Sequence, residues 1–185
     1  MKDLLRINVG CGRIRLKGYV GIDITQFIDG NGKECVDIVM DIERNRLPFE
    51  NDSVDEIVAE NILEHIGFSK DNPDGLEALI FVMNEFHRVL KPTGILRGNV
   101  PPFGSNGAIR DITHKRFFVK ESFAYLTGQN EAKLDRPGHP KYADYGVLPY
   151  YLIYLDDGIT FKLRPRKTVE YDKRFEKEDL SDMQM

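Results

Sequence analysis

Leu4-Leu5-Arg6-Ile7-Asn8-Val9 runs into Gly10-Cys11-Gly12, a short strand that ends in a glycine turn, and its reading decides the fold. Two further strands follow at close range. Tyr19-Val20-Gly21-Ile22 ends on Asp23, and Val36-Asp37-Ile38-Val39-Met40 ends on Asp41. In an open parallel sheet, ligands bind outside the carboxyl ends of the strands. A glycine turn and two strand-end carboxylates therefore read as parts of one pocket.

Outward from this segment, apolar runs of strand length alternate with helical or loop segments as far as residue 100, the pattern of a mainly parallel α/β sheet. Strands are expected near 4–9, 19–23, 36–40, 54–59 and 94–100. Leu76, Leu79, Ile80, Met83, Phe86, Val89 and Leu90 recur at helical spacing, and Lys91-Pro92-Thr93-Gly94 stops that helix. Pro101-Pro102-Phe103-Gly104-Ser105-Asn106-Gly107 is a loop by composition. Residues 120–126 suit a short helix. Tyr150-Tyr151-Leu152-Ile153-Tyr154-Leu155 and Ile159-Thr160-Phe161-Lys162-Leu163 flank Asp156-Asp157-Gly158 as a hairpin closing on a glycine. Residues 1–165 read as one domain, and 166–185 as a charged, solvated C-terminal tail. The connection from Gly12 to Tyr19 is too short for the helix that a parallel crossover normally carries. An irregular loop is expected there, or an earlier end to the first strand.

The bulk numbers narrow the function. With 185 residues and 41% hydrophobic content, the chain is long enough for one well-buried core. A net charge of -4 argues against a broad nucleic-acid-binding face, though not against a local basic groove. Cys11 and Cys35 make no disulfide framework and read as reduced thiols. The N-terminus lacks the apolar run of a signal peptide, and no stretch nears the roughly 20 apolar residues that cross a bilayer. A cytoplasmic location is expected, with no membrane contact.

Gly10 and Gly12 allow a sharp bend and leave no Cβ in a ligand's way. Asp23 sits beside that turn, where a carboxylate can accept from both hydroxyls of a ribose. Asp41, one strand further out, suits an exocyclic amine such as adenine's. Each residue alone also has a plain structural reading, the glycines as turn formers and the aspartates as helix caps. Their sequence at three successive strand ends favours the ligand. The dinucleotide fingerprint needs a third glycine three residues after the second, with its acid roughly 20 residues further on. Arg15 stands at that position, Asp23 follows too soon, and no phosphate-loop motif is present. Adenosine without a pyrophosphate fits best, which leaves a nicotinamide-dependent oxidoreductase as a poorer reading.

These residues resemble the opening of small class I S-adenosylmethionine-dependent methyltransferases, the type 11-like group. The likeness lies in Arg6-Ile7-Asn8-Val9-Gly10-Cys11-Gly12 and Gly18-Tyr19-Val20-Gly21-Ile22-Asp23. It continues in Asp41, Leu47-Pro48-Phe49, Asp52-Ser53-Val54-Asp55-Glu56-Ile57-Val58, Asn61-Ile62-Leu63-Glu64-His65-Ile66 and Glu85-Phe86-His87-Arg88-Val89-Leu90-Lys91-Pro92-Thr93-Gly94. Asp111-Ile112-Thr113-His114-Lys115-Arg116-Phe117-Phe118 and Glu121-Ser122-Phe123 extend it, so that it covers about residues 4–126.

The resemblance implies a Rossmann-like, mainly parallel sheet of about seven strands flanked by helices, with the C-terminal antiparallel hairpin added. It implies S-adenosyl-L-methionine as cofactor and methyl transfer to a small-molecule or saccharide-linked acceptor. Gly10, Cys11 and Gly12 would lie along the methionine part through backbone. Asp23 would take the ribose hydroxyls, with Ile24 near the adenine. Asp41 would accept from the adenine amine, Ile42 would give a backbone amide, and Asn61 would line the pocket after the fourth strand. Three departures stand out: Asn8 in place of the usual acid, the missing third glycine, and no room for the first helix. They keep open a second reading, a non-catalytic or degenerate protein that retains the fold and the cofactor.

Methyl transfer from a sulfonium is an in-line displacement in which alignment supplies much of the catalysis. A base is needed only when the nucleophile must shed a proton, and histidine titrates in the right range. His65 and His114 fall near strand ends and are the catalytic candidates. His87 reads as an exposed helix residue, and His139 as part of a proline-flanked loop. Four scattered histidines and two distant cysteines show no metal-ligand spacing, so no metal site is expected. Asn99-Val100-Pro101-Pro102-Phe103 resembles the Asn-Pro-Pro-aromatic signature of amino-methyltransferases, but Val100 interrupts it and it follows the wrong strand. It reads as a strand stopped by two prolines. Base flipping by an acidic chain of this size is disfavoured. The acceptor side is either open or completed by a second copy in a homodimer.

Overall fold

The computed structural model describes residues 4–127 and 145–167. Seven strands lie among them: β1 (Arg6–Val9), β2 (Val20–Asp23), β3 (Ile38–Val39), β4 (Val54–Glu60), β5 (Leu90–Asn99), β6 (Tyr150–Leu155) and β7 (Thr160–Pro165). They form one sheet in the order β3-β2-β1-β4-β5-β7-β6. The first five strands pair in parallel, and β7 pairs antiparallel to both β5 and β6. Helices α1 (Ala78–Val89), α2 (Asn106–Arg110) and α3 (Ala124–Thr127) accompany the sheet, with 3-10 turns at Leu63–His65 and Lys120–Phe123. This is the Rossmann-like sheet with a C-terminal hairpin that the sequence implies. The order runs outward from β1 to β3 and restarts with β4 on the other flank, so the switch point lies between β1 and β4.

β4 is the central strand, and its apolar run reflects that place. Ile57, Val58 and Ala59 are each fully buried, as expected when both faces of a parallel sheet are covered. Phe81, Met83 and Phe86 of α1 join Ile7, Ile57, Leu96, Phe161 and Leu163 in one core cluster. Tyr150 is fully buried and donates its hydroxyl to the Met83 carbonyl at 2.6 Å. That bond satisfies the one polar atom of an otherwise apolar anchor. No helix among the described residues is long and apolar enough to cross a membrane.

The connection from β1 to β2 holds no helix. It is an irregular loop, pinned where Gly10 and Cys11 donate to the Ile22 carbonyl at 2.9 and 3.1 Å. Its expected brevity is therefore real. Several other expectations change. The third strand shrinks to two residues, and β5 begins at once after α1 instead of at residue 94. Pairing of β5 with β4 jumps from Val54–Leu90 to Glu56–Ile95, so residues 91–94 bulge out and Pro92 needs no ladder donor. The segment read as loop over 101–107 runs into α2, whose first turn is capped by Ser105 accepting from the Ala108 amide at 3.1 Å. The hairpin turns through Asp157 and Gly158, as expected, but the residue at positive φ is Ile159 (φ 54°), which follows them. Ile159 is 1% exposed, and its burial fixes a backbone conformation that glycine would otherwise take.

His87 is not exposed. It is buried edge-on against Tyr150, with ring centroids 5.4 Å apart and Nε2 3.3 Å from the Arg166 carbonyl. The start of the charged tail is not solvated either. The Arg166 amide donates to the Pro149 carbonyl at 3.0 Å, and Lys167 pairs with Asp52 at 2.8 Å. His139 and residues 168–185 lie outside the described residues.

Candidate functional site

A cleft of about 210 Å³ opens at the carboxyl ends of β1, β2 and β3. Val9, Gly10, Ile22, Asp23, Met40 and Asp41 line it from those three strand ends, joined by Ile24, Ile42, Glu43, Ile62, His65 and Ile66. Six of the ten residues singled out from the sequence thus meet in one place: Gly10, Asp23, Ile24, Asp41, Ile42 and His65. The volume lies below the roughly 300–1,000 Å³ of enclosed sites for drug-sized ligands, so this is a groove with one open side.

The glycine turn is shaped by its own sterics. Gly10 has φ +67°, and a Cβ there would meet the Ile62 side chain at 2.9 Å. Gly12 has φ +54° and faces open space. Its amide donates to Asp23 Oδ2 at 2.8 Å, which ties the turn to the end of β2. Asp23 Oδ1 receives only a long bond from Thr25 at 3.4 Å. A carboxylate offers about four lone-pair positions, so acceptor capacity remains. Asp41 Oδ1 accepts from the Glu43 amide at 3.0 Å, and Arg44 lies 3.5 Å from Oδ2. Ile24 is exposed and adds an apolar wall beside the two carboxylates.

Cys11 and Asn61 do not line the cleft. The Cys11 side chain is buried behind the turn, and burial together with nearby Asp23 pushes its thiol up to about 11. Both cysteines are free. Asn61 is exposed at the end of β4, with φ 51° and its amide on the Asn99 carbonyl at 3.0 Å.

His65 and His114 do come together. Their rings meet edge-on with centroids 4.7 Å apart. The Leu63–His65 turn is where the second segment docks: the Lys115 and Arg116 amides both donate to the Glu64 carbonyl, at 2.7 and 3.1 Å. Arg116 locks that junction, donating to the Ile66 and Gly67 carbonyls at 3.0 and 2.6 Å and pairing with Glu77. His65 Nδ1 stands 3.1 Å from Thr113 Oγ1, which in turn donates to Asp111 Oδ1 at 2.7 Å. Burial, followed by the neighbouring His114, holds His65 below its ordinary range. Glu64 is 1% exposed, and burial raises its carboxyl. The description of the histidines as scattered therefore fails in three dimensions. Glu64, Asp111 and Thr113 are the site residues that sequence reasoning missed, and no spacing signal singles them out.

A mostly parallel sheet with this switch point and an antiparallel C-terminal pair is a Rossmann-like methyltransferase fold, and the groove lies at its glycine turn. Comparison agrees: residues 8–97 match the family model described as a methyltransferase domain. Residues 8–97 are thus similar to methyltransferase domains of the S-adenosylmethionine-dependent kind, and S-adenosylmethionine is the group to be tested against this groove. The residues fit that group, since the turn carries no Cβ toward the groove and two carboxylates with spare acceptor capacity flank apolar walls.

Among solved structures, a Burkholderia thailandensis 1,6-didemethyltoxoflavin-N1-methyltransferase, with bound 1,6-didemethyltoxoflavin and S-adenosylhomocysteine, is similar at 16% identity and a TM-score of 0.50. The match covers 87% of this chain and 70% of that one. A Pyrococcus horikoshii protein matches over 90% of this chain and 85% of its own, at 13% identity and a TM-score of 0.50. At such identities these likenesses establish the fold alone. A SAM-dependent methyltransferase from Archaeoglobus fulgidus is 17% identical over 67% of this chain, with a TM-score of 0.47, and the match spans 59% of that relative's length. No curated protein matches the sequence.

Proposed function

We propose that this protein transfers a methyl group from S-adenosylmethionine to a small-molecule or saccharide-linked acceptor in the cytoplasm. The observation that carries the reading is the convergence of Gly10, Asp23, Ile24, Asp41 and Ile42 on one groove at the switch point of the sheet. Asp23 takes the ribose hydroxyls and Ile24 covers the adenine. Asp41 accepts from the adenine amine, and the Ile42 amide serves the ring. The backbone of Gly10, Cys11 and Gly12 follows the methionine portion, with Asn61 beside it at the end of β4.

The cofactor, when bound, supplies an activated methyl group on a positively charged sulfur. The protein's part is alignment and proton removal. Because Thr113 gives its hydroxyl proton to Asp111, its oxygen is free to accept from His65 Nδ1. That leaves His65 Nε2 with a lone pair, on a ring that burial keeps neutral near pH 7. His114, held by the Ala108 carbonyl at 2.9 Å, stands next to it as the second candidate base. Exposed Phe103, Ile109, Ile112 and Phe117 belong to the same docked segment and offer apolar faces to an acceptor ring.

Calorimetric titration with S-adenosylmethionine and S-adenosylhomocysteine tests the cofactor reading, and absence of binding by the wild-type chain overturns it. The helix-free first connection and Asn8 favour the non-catalytic alternative. A screen of hydroxylated and saccharide acceptors decides that question: methyl transfer excludes it, whereas tight cofactor binding without turnover supports it.

A further inference from the structure

We propose that Glu64, His65 and His114 bind one divalent transition-metal cation at the rim of the groove. One ligand atom from each residue lies within 4.8 Å of those from the other two. Bonds of about 2.1 Å to a tetrahedral ion set ligand atoms about 3.4 Å apart, so the three need approach by no more than roughly 1.4 Å.

The hydrogen-bond pattern prepares both rings for this role. His114 Nδ1 faces the Ala108 carbonyl at 2.9 Å, and a carbonyl can only accept, so that nitrogen carries the proton. His65 Nδ1 faces a Thr113 hydroxyl whose own proton goes to Asp111, so it too is a donor. Both rings therefore hold their lone pair at Nε2. Metal-ligating histidines are oriented in this way, the far nitrogen donating to a carbonyl or toward a carboxylate. Asp111 Oδ2 lies 3.8 Å from His114 Nε2, an additional oxygen beside the cluster.

Glu64 supplies the independent sign. Its side chain is buried, and Oε2 has no hydrogen-bond partner. A buried carboxylate oxygen without a partner is costly, and a cation bound by this carboxylate removes that cost. Two nitrogens and one carboxylate form the donor set of open catalytic zinc and iron sites. Magnesium and calcium prefer all-oxygen shells. The site is thus specified for an ion of the zinc, cobalt or iron kind, with at least one open position. His65 also lines the groove, which places that position beside it. Given the methyl transfer proposed above, the ion takes the histidine lone pairs and so replaces them as the means of proton removal. An acceptor hydroxyl bound to the ion sheds its proton to solvent more readily. Its oxygen then forms the new bond to carbon as the carbon–sulfur bond breaks and sulfur keeps the electron pair.

The test is direct binding without cofactor or acceptor, so it stands or falls separately from the S-adenosylmethionine titration. Full-length protein, stripped with chelator, is titrated with Co²⁺ by visible absorption and with Zn²⁺ by calorimetry. One saturable equivalent is expected, weakened at least tenfold by Glu64→Gln or His114→Ala. Thr113→Val retains every ligand and loses only the orientation of His65, so about tenfold weaker binding is expected from it. Circular dichroism checks that each variant folds. No saturable Co²⁺ or Zn²⁺ binding by the wild-type chain overturns the proposal, as does an affinity unchanged in both folded ligand variants.

Discussion

The Gly12 amide donates to Asp23 Oδ2 across 2.8 Å, so the carboxylate at the end of β2 fixes the glycine turn at the end of β1. One side chain thereby shapes the backbone of the groove and keeps lone pairs for a ligand. Asp23→Ala removes both contributions. It leaves a backbone donor unpaired and takes away the acceptor for two ribose hydroxyls. S-adenosylmethionine affinity, read by calorimetry, is expected to fall at least tenfold, a loss of about 1.4 kcal/mol or more. An unchanged affinity would mean that the nucleoside lies elsewhere.

The groove was legible because its parts are local. Asp23 and Asp41 each stand at or just after a strand, and a strand end can be read from a few consecutive residues. The missing helix between Gly12 and Tyr19 was legible by counting alone. The His65–His114 pair was not, because it exists only through the Lys115 and Arg116 amides bonding to the Glu64 carbonyl, a contact between distant segments. His87 misled for a related reason. A polar residue near the end of α1 looks like an exposed one, but β6 and residues 166–167 cover that side of the helix. Ile159 is the third case: a β-branched residue at positive φ follows from burial in the finished core, not from turn composition.

Among the described glycines, Gly98 leaves the least room for a side chain. A Cβ added there would lie 2.0 Å from the Ala59 carbonyl oxygen and 2.9 Å from the Phe161 ring. The first obstacle is backbone of the central strand and cannot rotate away. Overpacking against movable side chains costs about 1–3 kcal/mol, and here the strands themselves must part. Gly98→Ala is expected to destabilise the protein by more than about 3 kcal/mol, measured by urea unfolding. A change under about 1 kcal/mol would show that β4 and β5 are less closely apposed.

His87 makes stability depend on pH in a direction that can be worked out. Burial, then the charge of Lys167, depresses its folded value to about 4 from the ordinary 6.5. Above pH 6.5 the ring is neutral whether the chain is folded or not, and its contribution is flat. Between 6.5 and about 4 the unfolded chain binds a proton that the folded chain excludes, so stability falls as pH falls. Below about 4 both forms are protonated and the loss levels off, at roughly 3 kcal/mol in total. Carboxylates titrate in part of the same window, so the informative quantity is a difference between two proteins. Urea unfolding of wild type and His87→Gln at pH 7.5 and pH 4.5 supplies it. Wild type should lose more stability between those conditions than the variant, by roughly 2 kcal/mol. Equal losses would place the His87 ring in water.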